Sequence, residues 1–145
     1  MNPGMVFVVA TVALLLSVGG GWYVTRGVLT LAARSVAAET PTPDPETAPG
    51  VPPEPPVGPT SPRAVAALRG GTWIGFLERF AVTGLVLVGD GTGVALVVAI
   101  KGLGRYPELR ENPEASERFV IGTLASLVWS AGLGLLGRAA LGWWA

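Results

Sequence analysis

A run of twenty residues without a single charge, Met5 to Val24, constrains the fold of this chain more than any other feature. At 1.5 Å per residue a helix of this length measures about 30 Å, which matches the hydrocarbon core of a bilayer. Trp22 and Tyr23 fall where an interfacial aromatic belt is expected, and Arg26 and Arg34 follow on what we expect to be a surface-lying helix. The sequence therefore predicts a membrane-spanning N-terminal helix.

A cleaved signal peptide is the competing interpretation of the same run. It is disfavoured because no basic residue precedes the run. The run is also longer than a signal core of about 7 to 15 residues.

The composition of the whole chain supports a membrane protein. Half of the 145 residues are hydrophobic and only 14% are charged, against about 25% in soluble proteins. Twenty-one glycines suit helices that approach one another closely in a bilayer. A formal net charge of zero gives no indication of a nucleic-acid partner. Without cysteine or histidine, disulfides, thiolate catalysis and ordinary zinc sites are excluded, and we expect no cofactor.

The composition changes abruptly between Glu39 and Pro62. Ten of the thirteen prolines fall there, with four acidic residues and no basic one. We predict a disordered Pro-rich linker over 39–62, between an N-terminal transmembrane and juxtamembrane helix (1–38) and a C-terminal membrane bundle (63–145). A solvated tether is the preferred role, and recognition of the proline pairs by a groove-binding module is the alternative.

The C-terminal half contains three further apolar segments. Residues 72–105 divide at Gly89–Gly93, where the density of glycine and an Asp-Gly pair predict the turn of a helical hairpin. A last helix follows, apolar from Phe119 to Leu136. The predicted fold is an all-α membrane protein whose C-terminal part is a three-helix bundle, formed by the hairpin and the last helix. Because only ten residues, Phe80–Gly89, separate the first charges from the turn, a re-entrant hairpin remains the alternative to a crossing one.

Charged residues lie inside these apolar segments: Glu78, Arg79, Lys101, Arg105 and Glu117. A charge near the bilayer centre costs about 2.5 to 3.5 kcal/mol on insertion scales, so each needs a partner. Counted from the turn, Glu78 lies about 15 Å down one helix, and Lys101 and Arg105 lie about 13 and 20 Å down the next. We predict that Glu78 pairs with Lys101 or Arg105. Arg79 points about 100° away and is predicted to meet Glu117.

Small residues recur at intervals of four on the last helix: Gly122, Ser126, Ser130 and Gly134. Such a stripe favours close helix packing, either within the bundle or in a homo-oligomer. Ala95 and Ala99 on the preceding helix are a candidate mating surface.

The basic residues predict the orientation. Counting four crossings, only Arg138 falls on one side, whereas eight of the ten basic residues fall on or near the other: Arg26, Arg34, Arg63, Arg69, Lys101, Arg105, Arg110 and Arg118. The positive-inside rule makes that side cytoplasmic. We expect the linker and the Arg105–Pro113 loop to be cytoplasmic and both termini to lie outside.

The motifs Ile74 to Arg79, Ala99 to Arg105 and Ile121 to Leu124 resemble a family of uncharacterised bacterial inner-membrane proteins. Its members share the patterns Ile-Gly-x-x-Glu-Arg, Ala-Lys-x-x-x-Arg and Ile-Gly-Thr-Leu. The resemblance covers about 70–136, implies a multi-pass protein of the bacterial plasma (inner) membrane and supplies no activity.

The function predicted from these features is that of a scaffold or accessory assembly subunit, in contact with the lipid bilayer and with a second copy or another membrane protein. The alternative is a small transporter or channel component that uses Glu78 with Lys101 or Arg105. An enzyme is disfavoured, because catalysis would rest on Glu78, Asp90 or Lys101 with no nucleophile and base pair in view.

Overall fold

The computed structural model describes residues 2–39, 58–68 and 70–143, and their regular structure is entirely helical. The helices are α1 (Pro3–Glu39), α2 (Pro62–Ala67), α3 (Gly71–Val88), α4 (Gly91–Gly104), α5 (Tyr106–Glu111) and α6 (Pro113–Trp143). The predicted all-helical fold is confirmed for this part of the chain. Most of the predicted linker, 40–57, lies outside the described residues.

Three of these helices are long and apolar enough to cross a membrane: α1, α3 and α6. The hairpin helix α4 has 14 residues. At about 21 Å it is shorter than the roughly 30 Å hydrocarbon core. Length and composition thus indicate a membrane protein with three helices of spanning length and one shorter apolar helix.

Helix α1 is continuous over 37 residues, about 55 Å. A surface-lying helix after Val24 was expected, but the residues that carry Arg26 and Arg34 continue the same helix. No proline interrupts 25–39, so the backbone has no reason to break there. The C-terminal part of α1 therefore extends past the length that the hydrocarbon core requires.

Helices α1, α3 and α6 form the packed centre of the described structure, and α4 packs along α3 and touches α5. Thr83 lies beside Ser130 and a Cβ at Gly134 would meet Val86, so α3 and α6 run in parallel. Ser17 of α1 also meets Thr83, and α1 runs antiparallel to both. The expected bundle of α3, α4 and α6 is therefore corrected, because α1 and not α4 completes the central three-helix contact.

The interior of this bundle is small and polar, and its outside is large and apolar. Buried positions include Ala13, Ser17, Val82, Thr83, Ser126 and Ser130. Exposed positions include Phe7, Leu15, Leu77, Leu103, Val128 and Leu136. Lipid gives apolar side chains no reason to turn inward, whereas small residues let helix backbones approach. This sorting agrees with a bilayer as the surrounding medium.

The turn between α3 and α4 lies where the glycines predict it. Gly89 ends α3 in the left-handed region, at a φ of +81°. A Cβ there would come within 2.8 Å of the Arg138 guanidinium, which is the movable end of its side chain, so the backbone angle is what favours glycine. Asp90 then caps α4 by accepting a hydrogen bond from the Gly93 N–H at 2.9 Å.

The short helix α2 is tied to the beginning of α6. Ser61 caps α2, as its position before Pro62 suggests, by accepting a hydrogen bond from the Ala64 N–H at 3.2 Å. The Ser61 hydroxyl also donates to the Glu114 carboxylate. Arg118 donates to the carbonyl of Pro59 at 2.8 Å. These contacts hold α2 at the end of the bundle where α6 begins.

The Arg105–Pro113 segment, expected as a loop, contains the helix α5. Helix α4 ends at Gly104, three residues before Pro107. The same proline then lies in the first turn of α5, a position where its missing N–H costs nothing.

The Asp90 cap yields a test of the turn. Replacing Asp90 with Ala removes the side chain that accepts from Gly93, and we expect the free energy of unfolding to fall by about 1 kcal/mol. Asp90→Asn keeps an acceptor of equal quality and is expected to retain the native value. Unfolding by SDS titration of the protein in mild detergent measures both, and an equal loss in the two variants would contradict the capping role.

Candidate functional site

Two adjacent and oppositely charged residues lie at the centre of the site. Glu78 and Arg79 of α3 are both buried, with 7% and 4% of their surface exposed. Successive residues of a helix point about 100° apart, so the two side chains face different neighbours. Each charge must be stabilised separately.

Glu78 faces α4, where its carboxylate forms an ion pair with the Lys101 ammonium. The Lys101 nitrogen also lies 5.3 Å from the ring centroid of Phe119 on α6, within the range of a cation–π contact. Both charged residues lie ten positions or so from the α3–α4 turn, which brings them to the same level. Of the two pairings that the sequence left open for Glu78, the structure contains the one with Lys101.

Arg105 lies nearer the end of the bundle. It is the C-cap residue of α4, and its guanidinium pairs with the Glu108 carboxylate of α5 at 3.4 Å. About one helical turn separates Arg105 from Lys101.

Arg79 faces the opposite side of α3, between α1 and α6. Its Nη1 donates to the Ser126 hydroxyl at 3.3 Å, and its guanidinium carbon lies 5.2 Å from the Phe76 ring centroid. The side chain passes directly over Gly21 of α1, where a Cβ would overlap its Cδ and lie 2.7 Å from its Nε. Trp129 of α6 covers the same glycine. Gly21 thus provides the space in which Arg79 is buried.

The predicted pairing of Arg79 with Glu117 is wrong. No ion pair joins the two among the described residues, and Ser126 takes the place of Glu117. Because α3 and α6 run in parallel, Arg79 is level with Ser126. Glu117 lies nine residues earlier on α6, about 14 Å away along the helix axis.

One turn beyond Arg79, a hydroxyl joins three helices. The Thr83 Oγ1 lies 2.6 Å from the Ser17 hydroxyl of α1 and 3.0 Å from the Ser130 carbonyl of α6. A hydroxyl has one proton and two lone pairs, so Thr83 can donate to the carbonyl while it accepts from Ser17. All three residues are buried. We call Ser17, Thr83 and Ser130 the three-helix junction.

The small-residue stripe of α6 contacts α1 and α3. A Cβ at Gly122 would lie 3.7 Å from the Thr25 side chain of α1, and a Cβ at Gly134 would lie 2.7 Å from Val86 of α3. Between the two glycines, Ser126 meets Arg79, and Ser130 belongs to the three-helix junction.

Ala95 and Ala99 do not pair with that stripe. Both are exposed on α4, which packs mainly against α3 and α5. The helix that packs most closely along α6 is α1, which lies far from it in sequence. Closeness in sequence is therefore a poor guide to which helix packs against the stripe.

The charge cluster, Glu78 with Arg79 and Lys101, combines two cations with one carboxylate. Two of its buried atoms, Glu78 Oε1 and Arg79 Nε, have no hydrogen-bond partner in the described structure. The described residues also contain no group of three or more acidic, histidine or cysteine side chains that could hold a metal ion. The arrangement joins α3 to α4 through Glu78 and Lys101 and to α6 through Arg79 and Ser126.

Several contact residues escaped the sequence reasoning, namely Ser17, Gly21, Thr83 and Trp129. Two signals could have revealed part of the set. Thr83 follows Arg79 by four positions and therefore shares its helix face. Gly19-Gly20-Gly21 is a run of three glycines within an otherwise bulky apolar helix.

No protein-family model, curated protein or solved structure matches this chain. Its class rests on its own features. The described part of the chain is helical and has three helices of membrane-spanning length and composition. Arg79 and hydroxyl side chains join those helices in the interior.

Gly21 provides a direct test of how Arg79 is accommodated. Gly21→Ala places a methyl group against the Arg79 side chain, and we expect overpacking to lower the free energy of unfolding by about 1–3 kcal/mol. Gly19→Ala is the matched control, because nothing lies within 4 Å of a Cβ at that position. Both changes raise helix propensity alike, so their difference in detergent unfolding isolates the contact. Equal stability of the two variants would refute it.

Proposed function

We propose that this chain is a small multi-pass protein of the bacterial plasma membrane and acts as a scaffold or accessory subunit without enzymatic activity. We further propose that it belongs to the uncharacterised inner-membrane family that its three motifs resemble. One observation carries the proposal. The charged groups inside the bundle meet other helices of the same chain, Glu78 through Lys101 and Arg79 through Ser126.

Internal pairing supports a structural use of the charges. A carboxylate that takes part in transport must exchange its partner, whereas the Glu78 carboxylate is held by a cation from the neighbouring hairpin helix. Removing one member of a buried pair leaves an uncompensated charge, so such a pair fixes the register of the two helices. A fixed bundle with an apolar outer surface is what a scaffold in lipid requires.

The distribution of basic residues supports the proposed orientation. In the antiparallel arrangement, the end of α1, α2, the end of α4, α5 and the start of α6 come together at one end of the bundle, which we call the basic end. The described basic residues there are Arg26, Arg34, Arg63, Lys101, Arg105, Arg110 and Arg118, and only Arg138 is at the other end. By the positive-inside rule we assign the basic end, the linker and α5 to the cytoplasm and both termini to the outside.

A transporter or channel component is the second candidate. It is favoured by two buried atoms that have no hydrogen-bond partner among the described residues, Glu78 Oε1 and Arg79 Nε, since a proton or an anion could engage them. The two functions differ in what neutralisation of the pair should do.

If the pair is structural, Glu78→Gln and Lys101→Met should each lower the amount of protein in the membrane, because each leaves its partner as an unpaired charge that costs up to about 3–5 kcal/mol. The double variant removes both charges and should recover part of the loss. Quantitative immunoblotting of membrane fractions measures this. Glu111→Gln and Arg110→Met are the matched controls, since both residues are exposed on α5.

Flux in proteoliposomes separates the second candidate from the first. Normal accumulation of both single variants with altered flux would favour transport and overturn the scaffold proposal. Purification of the native chain in mild detergent should recover a stoichiometric membrane-protein partner if it is a scaffold or accessory subunit. A clean homo-oligomer would favour transport, and a monomer without a partner would contradict the scaffold role.

A further inference from the structure

An apolar groove runs along the outside of the bundle between α1 and α6. Its volume is about 550 Å³. Val24 and Val28 of α1 line one side, and Leu124, Val128, Gly132 and Leu136 are among the α6 residues that line the other. From its first to its last α6 residue, 121–136, the groove follows about 22 Å of helix. That length exceeds the half-thickness of a bilayer core, about 15 Å.

A second hollow, of about 410 Å³, lies on α1 at the basic end. Tyr23, Arg26, Thr30 and Arg34 line it, and the last three recur every four residues and so share one helix face. Both arginines are exposed, and no carboxylate in the described part of the chain forms an ion pair with either. The Arg26 guanidinium lies over the Trp22 ring, 5.0 Å from its centroid. The hollow thus presents two exposed positive charges beside aromatic rings.

The two cavities adjoin at one level of the bilayer. Arg79 lies eight residues, about 12 Å, from the start of α3 and is level with Gly21 of α1. Because α1 and α3 are antiparallel, the start of α3 is level with the part of α1 about eight residues beyond Gly21. Measured along α1 from the level of the start of α3, Arg26 lies about 4 Å toward the bundle centre and Arg34 about 8 Å toward the basic end. A headgroup layer is about 5–7 Å thick, so the arginines straddle it. The cavities meet on α1 where Val24 and Val28 of the groove lie beside Gly27 and Leu31 of the hollow, because residues three apart are neighbours on a helix surface.

We propose that this composite surface binds one anionic phospholipid, with the phosphate between Arg26 and Arg34 and an acyl chain in the α1–α6 groove. Charge complementarity identifies the headgroup, because two exposed arginines that form no ion pair with a carboxylate among the described residues attract negative charge at the membrane surface. The apolar groove begins at the level of these arginines and therefore identifies the second part of the ligand as an acyl chain. This site is independent of the scaffold function proposed above.

The headgroup half of the site is tested on the full-length chain in detergent, by native mass spectrometry during titration with phosphatidylglycerol or phosphatidylcholine. We expect preferential retention of phosphatidylglycerol, weakened about fivefold by each of Arg26→Gln and Arg34→Gln. Arg110→Gln removes an exposed charge at the same end of the bundle, outside both cavities, and should leave retention unchanged. Equal binding of the two lipids, or equal loss in all three variants, would overturn the site.

The tail half is tested by a change that leaves the charge unaltered. A side chain at Gly132 meets nothing within 4 Å at its Cβ, so Gly132→Leu fills the groove without a clash at that atom. We expect it to reduce phosphatidylglycerol retention at least fivefold, while Gly142→Leu, also with open space around it and outside the groove, does not. Unchanged phosphatidylglycerol retention in Gly132→Leu would overturn the proposal that an acyl chain binds in the groove. Complete displacement of the lipid by inorganic phosphate would reveal a simple anion site and overturn the lipid proposal.

Discussion

The burial of two adjacent opposite charges, Glu78 and Arg79, sets the arrangement of the helices around α3. Because neighbouring residues diverge by about 100°, one partner cannot serve both side chains. Glu78 requires a cation on one side, which α4 supplies with Lys101. Arg79 requires space and an acceptor on the other side, which Gly21 of α1 and Ser126 of α6 supply. Helix α3 is therefore central, with α4 on one side and α1 and α6 on the other.

The rest of the interior follows from the medium. In lipid no hydrophobic force draws one apolar helix to another, so close backbone approach and hydrogen bonds must hold them. The three-helix junction at Thr83 and the close contact of Gly134 with Val86 serve this purpose one and two turns beyond Arg79. Large side chains such as Leu15 and Val128 are left for the outside. The chain is thus sorted by size and polarity, with its small and polar residues inside.

The same architecture makes the two ends of the bundle unequal. The end of α1 and the start of α6 meet there with α2 and α5, and they concentrate the basic residues at that end. Arg118 and Glu114 are engaged with the turn before α2. Arg26 and Arg34 on α1 remain at the surface, next to an apolar groove. An end that collects positive charge beside an apolar surface is suited to the anionic face of a membrane, which connects the proposed orientation with the proposed lipid site.

The sequence by itself determined what depends on neighbours along the chain. Apolar runs specify the helices, Gly89 and Asp90 specify the turn, and counting from that turn brings Glu78 level with Lys101, because a short turn fixes the register of a hairpin. Only the tertiary structure decided that α1 joins α3 and α6 and that Arg79 meets Ser126. These contacts join helices that are separated by long segments or by other helices, where no local rule sets the register. Close packing and hydrogen bonding in three dimensions select it instead.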